Sequence, residues 1–192
     1  MPQVTPFRSI RPIPELADRI AALPYDVYNR REALDETRRE PLSFLKIDRA
    51  ETQFPEDVDT YDPKVYEKAK ELLNSMLQDG SFIMEDAPCY YIYELTIDGR
   101  SQTGIVACSS IDDYQNEIIK KHEKTREDKE LDRIRHVDIT DTHTGPIFLV
   151  YRSVSVINQI VEDAKQEAPL YDFVSSDGIR HRVFRISDQD AI

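Results

Sequence analysis

The sequence predicts an α+β fold, a mixed sheet carrying two antiparallel hairpins with helices packed on it. Three observations carry this expectation. Alternating apolar and polar runs flank Asp98-Gly99, a pair suited to a tight turn with positive φ, and similar runs flank Asp177-Gly178. Between these hairpins, strand-like and helix-spaced segments alternate, which implies strands of both directions. A helix with clear start and stop signals precedes them, from Asp62-Pro63 to Gly80. At 192 residues the chain can bury a core as one domain or two small ones. The expected division is an α+β segment over 1–86 and a mixed-sheet segment over 87–192.

The elements follow in order. Residues 4–10 read as a short strand, broken by Pro12 and Pro14, and Pro14 opens a short helix over 15–22. Asn29 followed by Glu32 is a capping box, and Pro41 ends that helix by Glu40. Residues 42–47 read as a strand and 48–61 as an acidic surface loop. Val65, Ala69, Leu72, Leu73, Met76 and Leu77 then recur at helical spacing. The first hairpin pairs 89–97 with 100–109, and the second pairs 170–175 with 179–186. Between them lie an expected strand over 118–121, a helix from Thr125, a strand over 147–151 and a helix over 154–165. Ser187-Asp188-Gln189-Asp190 has the form of a helix start, which fits either a piece of a longer chain or a frayed polar tail.

Composition narrows the function classes. The formal net charge is −12, which argues against nonspecific nucleic-acid binding. No apolar run approaches the ~20 residues that span a bilayer. The first residues lack the apolar core of a signal peptide, so a cytoplasmic location is expected without membrane contact. Cys89 and Cys108 both fall in strand-like runs and read as buried free thiols.

Against this acidic background, residues 118–151 form a basic island with three of the four histidines, His122, His136 and His143. Thr125 with Asp128 fits a capping box. At ~100° per residue, Arg126, Lys129, Arg133 and His136 then share one quadrant of the helix. Leu131 and Ile134 lie beside that quadrant, where they can anchor the helix to the sheet. Arginine forks hold phosphate or carboxylate oxygens in bidentate geometry, so the quadrant suits a small anion. Lys121, His143 and Thr144 add donors, and Gly145 permits close backbone approach. Interleaved Glu127, Asp128, Glu130 and Asp132 support the competing reading of a solvated, ion-paired face. The histidine spacing matches no zinc pattern, and no metal is expected. Arg8, Arg11, Tyr25 and Asp26, in proline-fixed segments, form a lesser set that serves structural packing or lines a cleft.

Several of these segments resemble a known family when taken together. They are Pro6-Phe7-Arg8, Arg11-Pro12, Leu23-Pro24-Tyr25-Asp26-Val27, Tyr61-Asp62-Pro63, Gly99-Arg100-Ser101-Gln102-Thr103-Gly104, Lys121-His122-Glu123, Thr125-Arg126, Asp132-Arg133, Arg135-His136 and Thr144-Gly145-Pro146. Their order is similar to that of the bacterial and archaeal "domain of unknown function 1015" group, over the whole chain. Members of that group continue further and carry a Gly-His-His-Arg motif. That motif resembles the nucleotide-phosphate motif of the ParB and sulfiredoxin-like superfamily, which includes free-serine kinases. The resemblance implies an incomplete domain of that superfamily, the first part of a nucleotide-dependent kinase acting on a serine-like small molecule. It implies ATP or ADP with magnesium. Glu123 and His122 would orient the acceptor, and Lys121, Arg126, Arg133, His136, His143 and Thr144 would hold the anion. This piece alone would have little activity. The alternatives are a regulatory module that binds a nucleotide or small anionic metabolite without turnover, and a structural half-domain.

Overall fold

The computed structural model describes residues 2–121 and 125–187. In chain order the elements are β1 (Val4–Thr5), β2 (Ile10–Pro12), α1 (Ala17–Ile20), α2 (Arg30–Arg39), α3 (Leu45–Asp48), α4 (Pro63–Gln78), β3 (Phe82–Met84), β4 (Tyr90–Ile97), β5 (Arg100–Val106), β6 (Cys108–Ser109), α5 (Ile111–Gln115), α6 (Glu127–Thr140), α7 (Ser155–Ala164), β7 (Tyr171–Val174) and β8 (Arg180–Ile186). The fold is α+β. The chain forms two compact units, each assembled from separated segments. A sheet unit comprises Met1–Pro14, Ile83–Glu123 and Leu149–Ile192, and a helical unit comprises Glu15–Phe82 and Lys124–Phe148.

The sheet unit is built on four strands in the order β5-β4-β8-β7. All three pairings are antiparallel, where a mixed sheet is expected from the sequence. At the first hairpin Asp98 (φ 49°) and Gly99 (φ 77°) both take positive φ, as a two-residue primed turn demands. The second hairpin differs from the expected two-residue turn. Gly178 N–H donates to the Ser175 carbonyl and Ser175 N–H to that of Ile179, leaving a three-residue loop with Gly178 at φ 84°. The core is Ile92, Phe184 and Val161, with Ile105, Ile157, Ala164 and Ile186 against it, so α7 covers one sheet face. Glu94 lies on that face, two residues beyond Ile92 and opposite Thr103 and Arg182.

The helical unit grows from well-capped pieces. Asn29 Oδ1 accepts from Glu32 N–H at 3.0 Å and Glu32 returns the bond to Asn29 N–H at 2.8 Å, which fixes the start of α2. Asp62 Oδ1 accepts from Lys64 N–H at 3.0 Å, with Pro63 in the first helical position of α4. Helix α4 buries Val65, Tyr66, Ala69 and Leu73 and packs on α3 and α6.

Several expected elements take another form. Residues 42–47 lead into helix α3, where Leu45 and Ile47 are fully buried. A short apolar run inside a helical layer shows no period that separates helix from strand. The expected acidic surface loop at 48–61 begins with a 3₁₀ turn, Ala50–Gln53, that buries Ala50, Glu51 and Thr52. Residues 118–121 form no strand, and neither do 147–151, whose apolar side chains are exposed. β-Propensity is context-dependent, and among the described residues no partner strand pairs with them. Cys89 is buried but Cys108 is exposed, at the edge of the two-stranded β1–β6 pair. The helix start expected from Asp188 onward lies outside the described residues.

Candidate functional site

Helix α6 is packed the opposite way from its apolar pattern. It buries Asp132, His136 and Thr140, at i, i+4 and i+8, while Leu131 and Ile134 are 45% and 48% exposed. The expected anchoring by those two residues therefore does not occur. Nor does the expected capping box form: Arg126 occupies the cap position with no side-chain cap.

Each buried polar side chain on α6 makes at least one hydrogen bond. Tyr66 Oη, from α4, donates to Asp132 Oδ1 at 2.8 Å. Thr140 Oγ1 donates back to the His136 carbonyl at 2.7 Å. His136 Nε2 lies 3.2 Å from the Ile47 carbonyl oxygen at the start of the Ile47-Asp48-Arg49 turn. A carbonyl only accepts, so Nε2 carries the hydrogen and Nδ1 the lone pair. Burial pushes the His136 pKa down, outweighing the Ile47 bond, so the ring is neutral near pH 7.

These groups wall a cavity of about 300 Å³ that lies wholly within the helical unit. Tyr25, Tyr28, Tyr61 and Tyr66 supply much of its lining, with four carboxylates (Asp26, Asp48, Glu51, Asp132) and three fixed cations (Arg49, Lys129, Arg133). Two of the cations are committed to neighbours. Arg133 donates to Asp132 Oδ2 through Nε and Nη2, at 3.2 and 2.9 Å. Its guanidinium carbon stands 4.2 Å from the centre of the Tyr25 ring, and its Nη1 is 3.8 Å from Asp48 Oδ1. Arg49 donates to Glu51 Oε1 at 2.6 Å and to the carbonyls of Tyr25 and Tyr28 at 3.0 and 2.6 Å. Asp48 accepts from Thr144 Oγ1 at 2.9 Å. Burial raises the Asp48 pKa, and the Thr144 bond, His136 and Arg133 only partly offset it.

The cavity thus gathers Tyr25, Asp26, Lys129, Arg133 and His136 from the residues singled out by sequence, with Thr144 bonded to its wall. The other candidates lie elsewhere. Arg126 is 77% exposed at its side chain and paired with Asp128, because it precedes the helix instead of lying on its inner face. His143 is exposed, and Gly145 has open space around it with no close backbone neighbour. Lys121 belongs to the sheet unit and stands 4.8 Å over the Tyr114 ring. Arg8 and Arg11 also belong to the sheet unit and converge on Glu85, Arg8 on its carbonyl at 2.9 Å and Arg11 on its carboxylate at 2.6 Å. His122 and Glu123 lie outside the described residues.

Sequence reasoning missed Asp48, Arg49, Glu51 and Tyr66. One signal was available: arginine between two carboxylates in Asp48-Arg49-Ala50-Glu51, directly after an apolar run. Among the described residues no group of three or more His, Cys, Asp or Glu side chains is arranged to hold a metal ion.

A family model described as "Protein of unknown function (DUF1015)" matches residues 4–192. The chain belongs to this family. No curated protein and no solved structure matches it. The DUF1015 description names no activity, so the chemistry has to be argued from the cavity itself. Among the described residues no helix is long and apolar enough to cross a membrane.

Proposed function

We propose that this DUF1015 chain binds a small polar metabolite in the cavity of its helical unit, in the cytoplasm. One observation carries the reading: α6 turns Asp132 and His136 to the cavity wall and leaves Leu131 and Ile134 at the surface. A helix packed for stability alone buries its apolar stripe. Buried polar groups with shifted pKa values in a cavity are where binding or catalysis is expected. The cavity does not suit the polyphosphate of ATP or ADP, because Arg49 and Arg133 are already neutralised by Glu51 and Asp132.

The test is a thermal-shift and calorimetry panel of amino acids, hydroxy acids, sugar phosphates and nucleotides against the 192-residue chain. A ligand at one hundred times its Kd adds roughly 2.7 kcal/mol, which raises Tm by about 5–10 °C in a protein of this size. A panel in which nothing shifts Tm or gives heat defeats the proposal.

A second reading has its own support. Asp48 is a carboxyl of raised pKa at the cavity wall, the kind of group that takes a proton from a reacting hydroxyl. In the longer proteins that the ParB and sulfiredoxin-like resemblance implies, the cavity would then hold the acceptor of a phosphotransferase, with the nucleotide bound by other residues. Asp48→Asn in such a protein should keep acceptor binding and lower turnover about 10²–10⁴-fold. Unchanged turnover removes this reading and leaves the first.

A further inference from the structure

The cavity's uncommitted groups define a ligand class, an inference that rests on the binding reading above. His136 is 3% exposed, and its Nδ1 has no hydrogen-bond partner among the described residues. With Nε2–H directed to the Ile47 carbonyl, Nδ1 is a buried lone pair that only a donor can satisfy. Tyr66 does not serve it: the two rings form a T-shaped pair with centroids 6.4 Å apart, and the Tyr66 hydroxyl is donated to Asp132.

The charges around it point the same way. Arg49 and Arg133 are spent on Glu51, Asp132 and backbone carbonyls. Lys129 remains. It has the Tyr61 hydroxyl at 3.5 Å and no carboxylate in ion-pair range among the described residues. Asp26 likewise lacks an ion-pair partner among them, and Asp48 meets the Thr144 hydroxyl at 2.9 Å and Arg133 Nη1 only at 3.8 Å. A ligand entering this space meets more free acceptors than free cations. A volume near 300 Å³ stands at the small end of ligand cavities, ~300–1,000 Å³.

We infer that the cavity selects a small ammonium-bearing metabolite with at most one carboxylate: its N–H is donated to His136 Nδ1, its positive charge is balanced by the wall carboxylates, and its carboxylate, where present, faces Lys129. An amino acid is the simplest member of the class. A phosphate ester or nucleotide brings two or more negative charges to one free lysine and two carboxylates, Asp26 and Asp48, outside the Arg49–Glu51 and Arg133–Asp132 pairs, and it brings no cation.

Matched probes test this by calorimetry on the 192-residue chain at neutral pH: the standard amino acids and ethanolamine against L-glycerate, L-lactate, inorganic phosphate and ADP. The informative comparisons are serine with glycerate and alanine with lactate, which differ only in the amine. The ring-nitrogen NMR signals of His136 are followed in the same titrations. At least one amine should bind at least tenfold more tightly than its hydroxy-acid twin, and saturation should move the Nδ1 signal. His136→Gln should weaken that amine about tenfold, the scale of one lost hydrogen bond. Lys129→Gln should weaken amino acids and leave ethanolamine within about twofold. Glycerate, lactate, phosphate or ADP binding as tightly as the amines overturns the inference and leaves the binding reading standing. So does an amine that saturates without moving Nδ1. Silence from every probe here and from the wider panel overturns both.

Discussion

Glu94→Gln should cost the sheet unit about 2–4 kcal/mol at neutral pH and flatten its acid limb of stability. Glu94 is 2% exposed in the central strand β4. It accepts from Arg182 Nε at 2.9 Å, from Lys165 Nζ at 2.8 Å and from Thr103 Oγ1 at 3.2 Å. Glutamine keeps the volume and one acceptor, so no cavity forms; what is lost is the charge that holds two cations. Breaking a buried ion pair on one side costs ~3–5 kcal/mol. Arg182 and Lys165 retain 31% and 19% side-chain exposure, so water recovers part of that, which sets the lower figure. The pH dependence has a definite sign. Burial alone would raise the Glu94 pKa, but Lys165 and Arg182 outweigh it and hold it below its ordinary value of 4.5. The contribution is therefore complete above about pH 4.5 and is lost as pH falls through the folded-state pKa. Urea unfolding followed by circular dichroism at several pH values between 3 and 7 measures both effects. Glu85 has the same sign, held down by Arg11 and Arg185, so the readout is the difference between the two proteins. A loss under about 1 kcal/mol at pH 7, or a difference that does not shrink with acid, refutes the reasoning.

Three further outcomes are expected. Asp48→Asn keeps an acceptor for Thr144 and removes a buried charge, so it should be more stable than the parent at pH 7. A raised carboxyl pKa means stability that is present below 3.8 and lost as pH rises, so this gain should fade on acidification. Equal stability at pH 7 would contradict it. Gly178→Ala should cost about 1–2 kcal/mol, because its φ of 84° is hostile to a Cβ although the space is open. Gly145→Ala, with open space and no positive φ, should stay within about 0.5 kcal/mol; equal costs in chemical denaturation would show that the turn geometry is misread. Tyr66→Phe should cost about 1–3 kcal/mol by leaving a buried Asp132 oxygen unpaired, whereas Leu131→Gln and Ile134→Gln should each cost less than about 1 kcal/mol. The reverse order in thermal melts would mean that α6 packs on its apolar face.

The parts legible in the sequence are those fixed by local chemistry. Asn29 with Glu32, Asp62 with Pro63, and Asp98-Gly99 each act within a few residues, and each sits where the pattern places it. The errors fall where distant partners decide. Residues 42–47 and 147–151 have the same short apolar character, yet the first enters a buried helix and the second is exposed without regular structure. No local signal separates them. The cavity was half legible: the basic quadrant named Lys129, Arg133 and His136, while Asp48, Glu51 and Tyr66 belong to it through contacts from α3, its following turn and α4.

The arginines explain why a basic island in an acidic chain is a poor guide to an anion. Arg133 and Arg49 do not wait for a ligand. Arg133 ties Asp132 on α6 to the Tyr25 ring, and Arg49 ties Glu51 to the carbonyls of Tyr25 and Tyr28. Arg133 therefore holds the loop before α2 against α6, Arg49 holds it against the turn after α3, and the tyrosine wall of the cavity is set before anything enters. A wall already ordered spares a ligand the ~0.5–1.5 kcal/mol that each immobilised side chain otherwise costs. That is the use to which this chain puts its scarce positive charge. The groups left to meet a ligand are the His136 lone pair, which has no hydrogen-bond partner among the described residues, and Asp26 and Lys129, which have no ion-pair partner among them. Selectivity should accordingly follow the buried lone pair more closely than the number of basic residues, and substitution of Arg49 should loosen every ligand alike while substitution of His136 changes which ligand is preferred.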